Sequence, residues 1–385
     1  MTNNNEHTPK KILLLIRSLN IGGAERQVVS LAKSLTALGI DIHVAVKVAG
    51  GPLEADLKSI PNVKFHVLGR PGLIGKVSYF FKLRKLIKSN DFDATYGFMP
   101  LPNLALLVAR TIRHRPLIAW GIRSSGVDQT QYDFRVKLTM RLEKLLSRFA
   151  DRIITNSQAA LDEYRENGYP SDKLTHVPNA INVDRFRPDP GAKSTVREEL
   201  GIDPTAPLIG IFARIHPMKD HETFLDAARL LLNKVPNAKF ICAGEVSEGF
   251  AEHNEKVRTK AKALNLENSI HWLGPRTDPE RLMAACDLTT LTSNSGEGFP
   301  NSVAESLACG TPCVPTDVGD GSLIVKDFVE PIAKFDSEAL ASEWRVQINS
   351  VRNSNDDHGE KLRRSVVERY SPESITKTTL NLLRR

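Results

Sequence analysis

The chain has 385 residues, 41% of them apolar and 25% charged, with a formal net charge of +7. That length suits two domains of roughly 100–200 residues each, and the composition excludes a disordered chain, a collagen-like fibre and a small disulfide scaffold. Charge is uneven: 26 basic against 15 acidic residues up to Ala180 (+11), then 26 against 30 (−4), so the first half is expected to meet an anionic partner.

Lys11–Arg17 is a continuous apolar run, as in strands covered on both faces. The loop Ser18–Gly23 leads to a predicted helix, Ala24–Leu38, with Val28, Leu31, Ala32, Leu35 and Leu38 at the 3.6-residue period. Gly39 occupies a C′ position, and Ile42–Val48 is the next strand. This βαβ unit implies a parallel sheet. The alternation continues with strands at Val63–Leu68, Ala94–Gly97, Leu117–Gly121, Arg152–Thr155 and Leu174–Val177. Helices are predicted at Val77–Lys88, Asn103–Ile112 and Phe134–Phe149. Pro178–Pro190 holds three prolines and no amphipathic period, and reads as the interdomain linker. A second alternation follows, with strands at Pro207–Ala213, Lys239–Ala243, Ile270–Leu273, Leu288–Thr292 and Thr311–Pro315 and a helix at His221–Asn233.

No apolar run reaches the roughly 18–20 residues of a membrane span. Ile12–Ile16, after Lys10 and Lys11, is too short for a secretory leader, so a cytoplasmic protein is expected. Cys242, Cys286, Cys309 and Cys313 form no CxxC, and no HExxH occurs, so buried reduced thiols are expected, with no metal site and no cofactor.

The most informative stretch is Ser293–Pro315, SNSGEGFPNSVAESLACGTPCVP. A strand ends near Thr292, a turn follows at Gly296, Glu297 and Gly298, and Pro300 stands where N1 prolines open a helix that stops at Gly310. Free amides and the positive helix end then face a ligand, which suits a diphosphate. Glu297 in the loop and Glu305 on the helix flank hold different parts of one elongated ligand. The bland alternative is a carboxylate favouring the helix N-terminus and a solvated surface residue. A second segment, Phe212–Asp220, places Arg214 and Lys219 five residues apart after a strand, where two cations clamp a pyrophosphate. His216 and His221 read as loop-capping or solvated residues. Asn20–Glu25 (NIGGAE) is a turn between strand and helix but not GxGxxG, which argues against a dinucleotide dehydrogenase.

Over nearly its whole length the chain resembles the family-4 retaining glycosyltransferases. The resemblance implies the α/β GT-B fold, two Rossmann-like doubly wound parallel-sheet domains facing a cleft. It implies an N-terminal acceptor-binding domain over 1–185, with a last helix at 371–385 packing back on it, and a nucleotide-sugar-binding domain over 186–370. By resemblance Glu297 contacts the donor sugar, Glu305 the ribose, and the amides around Gly298, Phe299, Pro300 and Asn301 the sugar and pyrophosphate. Arg214 and Lys219 match the cationic pair of the segment G-R-L-x-x-x-K-G, with Ala213 and Asp220 in place of its glycines. Gly22 and Gly23 match the G-G-A-E turn facing the donor phosphates, Gly274 and Arg276 match the donor's base-side segment, and Gly244 is a further expected donor contact. Gly97-Phe98-Met99-Pro100 before Asn103, Val177-Pro178-Asn179 and Thr316–Asp320 are further matches.

Many family members carry a histidine after the strand that here reads Trp120-Gly121-Ile122; this chain has Arg123-Ser124-Ser125. Guanidinium stays protonated and cannot act as a base, but it binds phosphate or sugar hydroxyls. That fits a front-face mechanism in which the leaving phosphate oxygen takes the acceptor proton. The implied activity is metal-independent, retaining transfer of a hexose or N-acetylhexosamine from a UDP-sugar, or less readily a GDP-sugar, to a glycan or polyprenyl-diphosphate-linked acceptor. A non-hydrolysing UDP-sugar epimerase and a catalytically silent nucleotide-sugar-binding subunit are the alternatives. The basic segments Lys76–Lys88 and Arg135–Arg152 read either as helices packed on the sheet or as a surface on anionic lipid at the inner membrane face. No aromatic platform accompanies the charge, so nucleic acid is not an expected partner.

Overall fold

The computed structural model describes residues 8–20, 22–69, 73–110, 115–123, 125, 134–353 and 357–385, with the backbone alone at 73–77, 134–136 and 353. Ile21, Ser124 and the Thr111–Ile112 end of a predicted helix lie outside the described residues, as do the side chains of Lys76, Val77 and Arg135.

The chain forms two compact units, Met1–Ala180 with Pro372–Arg385, and Ile181–Ser371. Among the described residues the first holds seven strands: β1 (Lys11–Ile16), β2 (Asp41–Val46), β3 (Lys64–Val67), β4 (Ala94–Phe98), β5 (Leu117–Ile122), β6 (Arg152–Thr155) and β7 (Leu174–His176). They pair in parallel in the order β3-β2-β1-β4-β5-β6-β7. The second holds β8 (Leu208–Phe212), β9 (Lys239–Ala243), β10 (Ile270–Gly274), β11 (Leu288–Leu291) and β12 (Cys313–Pro315), parallel in the order β10-β9-β8-β11-β12. Each sheet reverses its winding once, between β1 and β4 and between β8 and β11. Ligands of open parallel sheets bind beyond the strand carboxyl ends at such switch points.

Burial follows from the period-2 geometry of strands. In β1, Ile12, Leu14 and Ile16 enter the core beneath one face, while Leu13 and Leu15 enter the core beneath the other. That is why the strand reads as unbroken apolar sequence. The last helix, Pro372–Leu382, contributes Ile375 and Leu380 to the core that also holds Val28, Leu31 and Leu35 of the first helix.

Three expectations are corrected. Pro178–Pro190 is not a free linker: Ile181 and Phe186 are buried in the core of the second unit, so the crossing falls at Ala180–Ile181. Pro300 is the N-cap (φ −76°, ψ 98°) rather than the first residue of the helix Asn301–Ala308. The helix expected to begin at Asn103 begins at Pro100 and ends at Ala109. Sequence periodicity also passed over several helices, including Gln158–Glu166, Ser337–Asn353 and Asp357–Tyr370.

Candidate active site

In the second unit the loops leaving β8, β11 and β12 meet beyond the carboxyl edge of the sheet. The loop after β8 passes Arg214 and His216, makes a single 3₁₀ turn at Pro217–Lys219, and reaches Asp220. Asp220 has φ 43°, a left-handed conformation that penalises residues with a Cβ. Its carboxylate offsets the penalty by accepting from the Thr223 amide (3.2 Å) and the Thr223 hydroxyl (2.6 Å), capping the helix His221–Leu232. An aspartate thus stands where the family pattern has glycine.

This loop is tied to the one after β11. The Thr292 hydroxyl donates to the carbonyls of Lys219 (2.9 Å) and Asp220 (3.0 Å), and the Asn294 amide donates to the Met218 carbonyl (2.9 Å). Gly296 (φ 70°) lies so close to Met218 that a Cβ there would fall 1.9 Å from the thioether methyl. The ammonium of Lys219 and the hydroxyl of Ser293 both donate to Oε1 of Glu297, which is 8% exposed. The loop after β12 closes the arrangement: the Thr316 hydroxyl donates to the Ser293 carbonyl (2.6 Å), and the Asp320 amide donates to the Gly298 carbonyl (2.9 Å).

Arg214 is exposed and makes no hydrogen bond or ion pair with the described residues, so its guanidinium is open to an anion. Glu305 lies half-buried on the flank of the helix that Asn301 opens. Gly244, after β9, meets the β8 loop backbone to backbone; a Cβ would fall 2.0 Å from the Ala213 carbonyl oxygen. Beside it is a cavity of about 80 Å³ lined by Ala213, His221, Cys242, Gly244, Trp272 and Gly274. The guanidinium of Arg258 lies 4.1 Å over the Trp272 ring. His216 caps the 3₁₀ turn, Nδ1 accepting from the Met218 amide at 3.2 Å, as expected. His221 is not a solvated residue. It is 1% exposed, and burial, then the charges of His253 and Lys219, push its pKa down to about 4.

Lys219, Glu297 and the backbone of Gly298 therefore lie together at the second switch point, with Arg214 and Gly244 on adjoining segments. Two further predicted donor residues have side chains held by neighbours within the second unit. The ring of Phe299 is buried against Tyr370 (centroids 5.0 Å), which leaves its backbone to face a ligand. Arg276 is held by both oxygens of Asp278 (2.8 and 2.9 Å) and by Glu199 (3.3 Å), in a network that includes Arg281. Ser293 and Thr292 were missed, because one hydroxyl in a polar loop carries no spacing signal. Among the described residues no group of three His, Cys, Asp or Glu side chains is placed to hold a metal ion. The four cysteines are free and buried.

In the first unit, Gly22 caps the first helix in extended conformation (φ −165°), and its missing Cβ leaves room for the Glu25 carboxylate. Burial raises the pKa of Glu25. Arg123, beyond β5, donates to the Tyr96 hydroxyl (2.7 Å) and to Asn179 Oδ1 (3.2 Å) and lies 4.8 Å over the Phe98 ring. Behind it Asn103, fully buried, donates to the Gly121 carbonyl (3.3 Å) and to Glu143 (2.7 Å) and accepts from the Gly121 amide (3.3 Å). Gly97 is required there, since its Cβ would fall 2.7 Å from Asn103 Oδ1.

Two Rossmann-like units, each gathering polar loops at the switch point of a parallel sheet, define the GT-B class of glycosyltransferase fold. Family models for glycosyl transferases group 1 and for Glycosyltransferase Family 4 match residues 192–354 and 21–185. The chain belongs to this glycosyltransferase family. Among its relatives is the D-inositol 3-phosphate glycosyltransferase of Segniliparus rotundus, 30% identical over 207 residues. That match takes in 52% of this chain and 44% of that protein, so the chain spans less than half the relative's length. The N-acetylgalactosamine-N,N'-diacetylbacillosaminyl-diphospho-undecaprenol 4-alpha-N-acetylgalactosaminyltransferase of Campylobacter jejuni is 27% identical over 324 residues, 81% of this chain and 82% of that one. The crystal structure of Anabaena HepE in complex with UDP and glucose superposes with a TM-score of 0.82 at 23% identity, covering 97% and 99% of the two chains, a likeness of fold.

Proposed function

We propose that the protein is a retaining glycosyltransferase that moves a hexose or N-acetylhexosamine from a UDP-sugar to a glycan acceptor carried on a lipid diphosphate. The observation that carries this reading is the junction of the β8 and β11 loops, where Lys219 meets Glu297 and Arg214 stands open nearby. Two fixed cations at the carboxyl end of a switch-point strand neutralise the charge that grows on a departing nucleoside diphosphate, the role a metal ion fills elsewhere. Glu297 then faces the sugar, and Glu305, along the helix flank, the ribose. The base fits the cavity beside Trp272 and Gly244. The lipid-linked acceptor of the Campylobacter relative and the UDP bound to Anabaena HepE support the acceptor and donor classes.

The first unit supports membrane contact. In the helix Phe134–Leu146 and the turn after it, Leu138, Leu142, Leu145 and Phe149 are exposed, whereas Glu143 is 1% exposed. Spacings of four, three and four residues place the four apolar side chains on one stripe, beside Lys137, Arg141, Lys144 and Arg148. An apolar stripe bordered by cations suits an anionic lipid surface. No helix among the described residues is long and apolar enough to cross a membrane.

A panel of UDP- and GDP-sugars, screened by thermal shift and then by donor hydrolysis, tests the donor class. UDP affinity unchanged in the Lys219→Ala, Glu305→Ala double variant would overturn the reading, as would activity abolished by a chelator. Epimerisation of the donor without acceptor would point instead to an isomerase.

A further inference from the structure

Arg123 is held in a cage of neutral groups. The Tyr96 hydroxyl and the Asn179 amide oxygen accept from its terminal nitrogens, and the Phe98 ring lies beneath it. Among the described residues the buried Nε of Arg123 has no hydrogen-bond acceptor. A small cavity beside it is walled by Gln27, Phe98, Ala180, Thr376 and Thr379, among other residues, and its lining contains no acidic side chain. Among the described residues Arg123 forms no ion pair. A half-buried guanidinium is costly to desolvate, and proteins ordinarily pair such charges with carboxylates. Here the arginine is positioned without being neutralised: stacking and two hydrogen bonds fix its plane, while its full charge is left for a ligand. The buttress behind it is equally specific, since Asn103 and Gly97 lock the end of β5 at Gly121, two residues before Arg123.

We propose that Arg123 recognises an anionic group on the sugar substrate, a carboxylate or a phosphate, and so selects acidic over neutral substrates. Planar guanidinium matches both anions in bidentate fashion, and hydrogen bonds between two charged partners are the strong ones. The proposal rests on the glycosyltransferase reading above and extends it to the substrate's charge. The anion sits either on the donor, as in a uronic acid, or on the acceptor, as in a sugar phosphate.

Calorimetry on the wild type, Arg123→Gln and Arg123→Lys separates these sources. UDP-glucuronate is compared with UDP-glucose, and, with UDP present, glucose 6-phosphate is compared with glucose. In one pair the acidic member is expected to bind the wild type about tenfold or more tightly, as one charge-assisted contact allows. Arg123→Gln should reduce that ratio to near one, and Arg123→Lys should keep part of it. Preference within the first pair assigns the anion to the donor, and within the second to the acceptor. Equal affinity within both pairs, or a preference that Arg123→Gln retains, overturns the proposal. UDP binding to none of the three proteins overturns the donor reading instead. Glucuronate and glucose 6-phosphate, each titrated against glucose without nucleotide, then still decide the role of Arg123.

Discussion

Lys219 and Glu297, 78 residues apart in sequence, form an ion pair that joins the loops leaving the two strands at the switch point of the second sheet. The side chains are 16% and 9% exposed, so each depends on the other for compensation of its buried charge. Lys219→Ala should strand the Glu297 carboxylate and cost about 3 kcal/mol, as removal of one partner of a buried pair does. Lys219→Met with Glu297→Gln removes both charges and should recover most of that stability. Donor hydrolysis should stay at least about a hundredfold below wild type in both proteins, because the phosphate charge is then unmet. Urea unfolding beside turnover measurements checks this. Activity restored together with stability would show the pair to be structural.

Asp220 joins backbone strain to helix capping in one residue. Asp220→Gly relieves the positive φ while losing the cap, so its stability should lie within about 1 kcal/mol of wild type. Asp220→Leu loses the cap and keeps the strain, and should cost about 2–3 kcal/mol. Thermal unfolding of the two variants distinguishes them. Equal destabilisation would mean that φ 43° carries no penalty here.

Glu143 links stability to pH. Burial raises its carboxyl from the ordinary 4.5 to about 7, against the opposing hydrogen bond from Asn103. The folded state therefore keeps a proton that the unfolded chain releases near pH 4.5. This contribution is fully present below pH 4.5 and is lost as pH rises through 7. Glu143→Gln stays neutral throughout. The wild type should thus lose about 3 kcal/mol relative to the variant between pH 4 and pH 8, the linkage equivalent of that shift. Denaturation curves at both pH values measure it, and parallel curves would place the carboxyl in water.

The exposed stripe on the helix Phe134–Leu146 predicts lipid binding. Leu142→Glu puts a carboxylate on the face that would meet lipid and should weaken cosedimentation with phosphatidylglycerol vesicles about tenfold, leaving solution donor hydrolysis unchanged. Equal binding by wild type and variant would assign the stripe to another partner.

Both parallel sheets were legible in the sequence because strands covered on two faces must be apolar throughout, as Ile12–Ile16 shows. The positions of Lys219 and Glu297 were legible for a related reason: each follows a strand whose carboxyl end opens on the sheet edge. Local chemistry alone determines that much. Tertiary structure decided how those segments meet. No spacing brings Lys219 onto Glu297 or Asn103 between Gly97 and Gly121, since those contacts depend on chain segments folded side by side. Nor could sequence show that Glu143, rather than its neighbouring leucines, turns inward. A helix period reports which residues share a face, and only packing determines which face is buried.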